Sequence, residues 1–530
     1  MNSRDIEQES AHSGMWWVLS MTSICMAIIA YNTTALVTVL PQLTTDLDLR
    51  PATLQWVMAI YMVVAASFVP IMGRLSDLYG KINVFLLGIV SFAAGSLLAS
   101  MVTDATWLLT GRALQGAGGA SMFGTSLSVL TVATPESRRP FVMGLLGALI
   151  AVGMSLGPMI GGLFGEFLSW RWVFIFEVIM LAIAALLLWR IVIANYVPNS
   201  KNEHDSLDVI GAVLLVIALA PLAYGLSLSE TAGWLDTETL GLTGFGLVAI
   251  VAFCLRERYT ATPLLQIDYF RHPRYIVAAS GMFIIGFVFM GFFIYYALYA
   301  QSPDTLAMSP VLAGASMLPM TGMMLVLSVV APQKLAPYSF RWPITLGMLC
   351  LSIACYLMSL INDATTYNDI WWRLMLLGCG LGLTMPLLPR VGMRILAAEH
   401  VGQGSGTINT FLYFGATVGA VICGLAQQTT IKDHIREVLS ALPVNSSQHE
   451  TIVTALGSGS GSEVQAALAA LGSPVSQSLG IALKDVRDDA FAAVMLACAL
   501  ITLCGSLLAG ILMRGPVPQP ESGAKLLRNR

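Results

Sequence analysis

Apolar stretches of about twenty residues recur along the whole chain, and each is as long as a helix must be to cross the hydrocarbon of a bilayer. Read in order they fall near 15–40, 53–73, 83–102, 106–131, 141–165, 173–195, 209–228, 239–255, 276–300, 311–332, 343–361, 371–393, 405–427 and 490–513, fourteen in all. Hydrocarbon offers no water to unpaired backbone groups, so the expected fold class is an all-α polytopic membrane protein. A lipid-facing barrel alternates apolar and polar residues, whereas these runs are continuous. Composition removes the soluble alternatives. Of 530 residues, 56 % are hydrophobic and only 11 % charged, too few charges to coat soluble domains of that total length. A net charge of −3 without a basic stripe excludes a nucleic-acid partner. The first run is no signal peptide, being too long and preceded by Asp5, Glu7 and Glu9.

An even number of spans puts both termini on one side. Most of the 27 lysines and arginines fall in alternate loops and the two tails. The opposite short loops and helix ends hold Arg50, Arg171 and Arg373, and the long loop on that side holds Lys432, Arg436, Lys484 and Arg487. This bias makes both termini cytoplasmic, in a cell (inner) membrane. The eight cysteines lie inside apolar runs without ligand spacing, and the six histidines lie in loops or tails. No metal site, disulfide or cofactor is expected.

Several short patterns sit on particular spans. The loop after the second reads Gly73-Arg74-Leu75-Ser76-Asp77-Leu78-Tyr79-Gly80-Lys81. Small residues there allow a tight turn, and the acid and base lie where they can meet helix ends. A degenerate echo, Pro332 to Arg341, follows the tenth span and suggests duplicated halves. The second span carries Trp56 and Tyr61 ahead of Pro70, and the fourth carries Arg112, Gln115, Gly116, Gly118 and Gly119. The fifth carries Gly153, Gly157, Pro158, Gly161 and Gly162, followed by Ser169-Trp170-Arg171-Trp172-Val173-Phe174. Ser309-Pro310, Ala313-Gly314 and Leu318-Pro319 come after the ninth.

Together, and in this order, these patterns resemble the major facilitator superfamily, and within it the 14-span drug:proton antiporter branch of the EmrB/QacA type. The resemblance runs from about residue 15 to about 427. It implies a major facilitator fold with a cytoplasmic tail at 1–14, a six-helix half at 15–195 and a linker at 196–275 holding two extra helices. A second six-helix half follows at 276–513, with a long periplasmic loop at 429–488, and then a cytoplasmic tail at 514–530. Gly73, Asp77, Gly80 and Lys81 become conformational motifs. So do Gly153, Gly157 and Gly161, which repeat every four residues on one smooth helix face. With the kink of Pro158, that face is expected at the seam between halves, as a pivot.

Charged residues inside spans are expensive and mark function. Arg112 in the fourth span and Glu177 in the sixth are the two placed well inside. Each would be costly alone, so they are expected to face one cavity and to meet directly or through water. An arginine keeps its charge, so Glu177 is expected to carry the proton and Arg112 to complete the proton-coupling pair. The chain departs from the branch here. The family's first-span aspartate is replaced by Asn32, and the position after Trp-Arg-Trp-x-Phe-x-x, normally asparagine, is Glu177. Carboxylate and amide have changed places. Leu412-Tyr413 also replace the usual Arg-Gln before Phe414-Gly415. Tyr31, Asn32, Thr34, Thr38, Gln115, Tyr296, Asn409 and Tyr413 are the candidates for a substrate cavity. Aromatic and polar lining with few charges suits a bulky apolar or amphiphilic compound.

The leading expectation is a secondary active exporter of small organic molecules, driven by proton antiport through alternating access. Export of one endogenous metabolite such as a siderophore is the alternative, and a sensor on a transporter scaffold is a third reading. No nucleophile–base set, metal cluster or nucleotide loop supports an enzyme. Expected partners are the small-molecule substrate, protons and the lipid bilayer, with a periplasmic adaptor left open.

Overall fold

The computed structural model describes residues 3–49, 51–135, 138–197, 207–233, 235–260, 263–265, 267–302, 305–335, 338–362, 364–396, 401–440 and 473–514. They form helices α1 (Ser3–Asp46), α2 (Pro51–Tyr79), α3 (Lys81–Met101), α4 (Ala105–Ala133), α5 (Arg139–Phe167) and α6 (Arg171–Ile193). Helices α7 (Val209–Ala232) and α8 (Thr237–Tyr259) follow, then α9 (Pro273–Gln301), α10 (Pro310–Ser316), α11 (Leu318–Val330) and α12 (Arg341–Met358). The chain ends with α13 (Tyr367–Thr384), α14 (Leu387–Met393), α15 (Val401–Ser440) and α16 (Ser473–Leu512).

Local chemistry sets many of the ends. Asp104 caps α4 by accepting the N–H groups of Thr106 and Trp107, and Asp236 does the same for α8. Thr366 and Asp369 form a reciprocal capping box on α13. The turn from α2 to α3 needs φ of 94° at Gly80, a left-handed conformation in which a side chain would be strained. Pro319 and Pro386 interrupt two spans, so the tenth is α10 plus α11 and the twelfth is α13 plus α14.

Thirteen stretches among the described residues are long and apolar enough to cross a membrane. The fourteenth expected span is α4, a continuous helix of 29 residues whose arginine, glutamine and glycines lower its hydropathy. Two boundaries shift. Helix α1 begins at Ser3, so most of the expected tail 1–14 continues the first helix. The expected loop 429–488 is helical at both edges, because α15 runs to Ser440 and α16 starts at Ser473. Residues 441–472, whose stretch 463–472 could form a short helix by its sequence, lie outside the described set, as do 198–206 and 515–530.

The helices assort into two groups. In the first half, α1 packs on α5 and α6, α3 on α4 and α6, and α2 on α4. In the second, α9 packs on α15 and α16, α12 on α13 and α16, and α11 on α13. The halves meet along two seams, α2 against α15 and α5 against α10 and α11. The added pair α7–α8 leans on α2 and α15 through α7. Phe245, Val248 and Val251 of α8 stay more than half exposed, as suits a surface solvated by lipid tails.

Candidate functional site

The turn before α6 fixes the depth of Glu177. Trp170 is buried and donates from Nε1 to Asp46 Oδ2 at 2.9 Å, at the end of α1. Arg171 lies over the Trp170 ring, 3.7 Å from Asp46, and donates to the carbonyl of Val102. Glu177 follows six residues into α6, a rise of about 9 Å. Arg112 enters from α4 to a similar depth, about 10 Å past the helix start. Helix α4 lies close on α3 because Gly95 and Gly111 oppose each other, and a Cβ on either would press on the other's carbonyl. That approach puts Ser96 of α3 beside Gln115 of α4, whose Nε2 donates to the Ser96 hydroxyl at 2.8 Å.

Arg112 and Glu177 come together, but two amides stand between them. Asn32 donates from Nδ2 to Glu177 Oε1 at 2.7 Å, and its Oδ1 accepts from Arg112 Nη1 at 2.7 Å. Gln115 repeats the arrangement, donating to Glu177 Oε2 at 2.7 Å and accepting from Arg112 Nη1 at 2.8 Å. Ser96 adds a third donor to the carboxylate at 2.8 Å. Arg112 also donates from Nε to the carbonyl of Val57 and lies 4.7 Å from the ring centroid of Tyr61, both on α2. Asn32, Ser96, Arg112, Gln115 and Glu177 are all completely buried. Bridging amides let two opposite charges share a dry site without touching. Each charge keeps several hydrogen bonds, which offsets the desolvation that would make a lone ion costly.

The other expected site residues disperse. Tyr31 lies beside this network, its hydroxyl donating to the carbonyl of Val173 and its ring 5.2 Å from Phe176. Thr34 and Thr38 bond to backbone carbonyls, and Thr34 reaches Met154 O on α5. Both threonines face the glycines of α5, inside the first half. Tyr296 is buried in the second half, stacked on Phe292 and 2.8 Å from the Ser316 hydroxyl. Tyr413 crosses the seam, edge-on to Phe123 of α4 at 5.8 Å, and Asn409 lies one turn earlier on α15. The eight candidates therefore do not line a single space among the described residues.

The glycine face needs a correction. Gly153, Gly157 and Gly161 do not meet the second half; a Cβ at each would strike Ala27, Thr34 or Ala35 of α1. The seam is met by the neighbouring face of α5, where Gly162 opposes Pro310 and Pro158 opposes Gly314. In the loop motif, Gly80 makes the turn, with Asp77 near the end of α2 and Lys81 at the start of α3.

Ser96 and the Val57 carbonyl were missed by sequence reasoning. A single serine in an apolar span and a backbone group carry no pattern of their own. Tyr61 stood in a recognised pattern without a role. Two further acids, toward the ends of their apolar runs, are also buried. Glu257 is 2 % exposed and accepts from Leu265 N, and Asp488 is 5 % exposed and accepts from Tyr299.

A family model described as Major Facilitator Superfamily matches residues 22–420. The tetracenomycin C resistance and export protein of Streptomyces glaucescens is 27 % identical over 420 residues, covering 79 % of this chain and 77 % of that one. Multidrug resistance protein 3 of Bacillus subtilis is 27 % identical, covering 73 % and 75 %. The cephamycin export protein CmcT of Amycolatopsis lactamdurans is 30 % identical, covering 74 % and 81 %. Among solved structures, a peptide transporter POT in complex with sulfate superimposes with a TM-score of 0.60 at 14 % identity, covering 95 % and 96 %. The human organic anion transporter MFSD10 does so with 0.56 at 12 % identity, covering 92 % and 99 %. At these identities the structures speak for the fold.

Proposed function

This chain belongs to the major facilitator superfamily, as a multi-pass membrane transporter and not an enzyme, and we propose that it exports small organic compounds in exchange for protons. The observation that supports this reading most is the buried unit of Glu177, Asn32, Gln115 and Arg112. A proton carrier needs one group that changes charge in a dry site and an environment that supports both forms. Glu177 is the group. The two amides and Ser96 stabilise the anion, and Arg112 balances its charge at one remove. Reorientation of the halves along the α2–α15 and α5–α10 seams would expose this unit to one side and then the other.

Substrate is taken to bind between the halves, near Asn409 and Tyr413 on the α15 side of the seam, as a bulky apolar or amphiphilic molecule. The names of relatives favour drugs and antibiotics as the class. Both termini are cytoplasmic in this reading, so loading is from the cytoplasm or inner leaflet. A second reading, export of one endogenous compound, is supported by relatives named for tetracenomycin C and for cephamycin.

The deciding experiment is reconstitution into sealed vesicles carrying a pH-sensitive dye, with tetracenomycin C, a cephamycin and a lipophilic dye supplied in turn. Proton movement that depends on an added compound supports antiport. Compound movement with no proton counterflow sinks it. Response to one compound alone selects the second reading.

A further inference from the structure

The buried charge unit is anchored on one side by contacts that its carboxylate and amides do not themselves require. Arg112 makes two contacts with α2, one turn apart: Nε donates to the Val57 carbonyl at 2.9 Å, and the guanidinium lies 4.7 Å over the Tyr61 ring. The Tyr61 ring is wedged from behind, edge-on to Phe92 at 6.4 Å; Gly119 leaves the ring room, and Gly116 lies against the Tyr61 backbone. Its hydroxyl is buried with no hydrogen-bond partner among the described residues. A tyrosine kept for its hydroxyl would be expected to spend it on a partner, because a buried unsatisfied group is costly. Here the ring face is what meets another group.

We infer that Tyr61 is a positioning residue for proton coupling: its ring holds the Arg112 guanidinium in the orientation that lets Nη1 serve Asn32 and Gln115 together. This rests on the antiport reading of Glu177. Without the ring, the guanidinium is free to turn about its Val57 contact, and the two amides lose the cation that orients their oxygens. Their N–H groups then no longer point reliably at the carboxylate. Tyr61 also holds the network's cation against α2, which packs directly on α15 of the second half. Around Glu177, the charged and titratable groups are Tyr31 from α1, Tyr61 from α2 and Arg112 from α4, with Ser96 the polar neighbour from α3. Among the described residues, none but Tyr61 meets Arg112 through a ring face.

The test uses Tyr61→Leu and Tyr61→Phe in the full chain, with Tyr61→Met as the ringless variant if leucine does not express. Two readouts are taken: the pH profile of compound-driven proton flux, and the pH profile of Glu177 modification by a hydrophobic carbodiimide, which reacts with the protonated acid. A ring over a desolvated cation is worth enough to displace such a profile by roughly half to one and a half pH units. The ringless variant should show that displacement in the labelling profile, and Tyr61→Phe should restore the wild-type profile. A ringless variant that labels as wild type does overturns the role of Tyr61, and so does a Tyr61→Phe profile displaced as far as the leucine one. The labelling readout stands apart from transport. Wild-type protein that carries no protons while the ring still moves the labelling profile overturns the antiport reading and leaves the positioning of Arg112 supported.

Discussion

Asn32 Nδ2 lies 2.7 Å from Glu177 Oε1, linking α1 to α6 by a hydrogen bond inside a completely buried site. The drug:proton antiporter branch places a carboxylate on the first helix and an amide on the sixth. In this chain the two types are exchanged, and the exchanged residues touch. An amide at 32 fits between neighbours of opposite charge, since its oxygen meets Arg112 and its N–H groups meet Glu177. Moving the acid from one helix to the other therefore keeps the pair, the arginine and the net charge of the unit.

It follows that Glu177→Gln removes the group that changes charge while sparing the shape of the site. Export driven by a pH gradient should fall to the level of empty vesicles, with compound binding still measurable by fluorescence or calorimetry. Adding Asn32→Asp to that variant should restore part of the driven export, because the amide introduced on α6 can then donate to a carboxylate on α1. Undiminished driven export in Glu177→Gln would mean that protons are not carried there.

Gly157 and Gly162 should behave differently, although both belong to one glycine-rich run. Leucine at 157 collides with Thr34 inside the first half, so the expected effect is lost folding, about 1–3 kcal/mol or more for overpacking a tight contact. Alanine at 162 presses on the Pro310 carbonyl across the seam. It should leave expression normal and favour the state in which α5 and α10 are apart. A cysteine near that seam, probed with a thiol reagent, should react several-fold faster in Gly162→Ala. Equal rates would remove the seam from the conformational cycle.

The count of spans was legible because hydrocarbon imposes one length and one composition on every segment that crosses it. Arg112 and Glu177 were legible because charge is rare there. That they would meet through amides was not, since hydrogen-bond geometry depends on the rotation of four helices about their axes. The glycine run shows the same limit. Period four identified a smooth face, but pattern alone does not say which neighbour fills it, and α1 does so instead of the second half. Most of the candidate cavity failed to assemble for a related reason. A tyrosine or threonine in a span is equally at home bonding its own helix's carbonyls, as Thr34 and Thr38 do.

Orientation in the membrane rests on the distribution of lysine and arginine and has a direct check. A cysteine placed at Ser460 should react with an impermeant maleimide on intact cells. One placed at Lys201 should react only after the cells are opened. The reverse pattern would invert the orientation from which loading on the cytoplasmic side was argued.

The last prediction concerns the added helix pair and acid. Asp208 caps α7 through Gly211 N and receives two hydrogen bonds from Arg256 at the end of α8, at 3.2 and 3.1 Å. Burial pushes its carboxyl up, but the Arg256 guanidinium and the Gly211 N–H more than offset this and hold it below the usual carboxylate range. A group lowered in the folded state stabilises the fold at pH above its unfolded value, and that contribution is lost as pH falls through the folded value. The clasp between α7 and α8 should thus be at full strength at neutral pH and fade only under strong acid. Asp208→Asn should lower the melting temperature of the detergent-solubilised protein near pH 7, and the gap from wild type should close as pH drops below about 4, the ordinary range of an aspartate. A gap that persists unchanged into acid would show that the ionised carboxylate is not its source, and would overturn the ion pair with Arg256 as the clasp between the two helices.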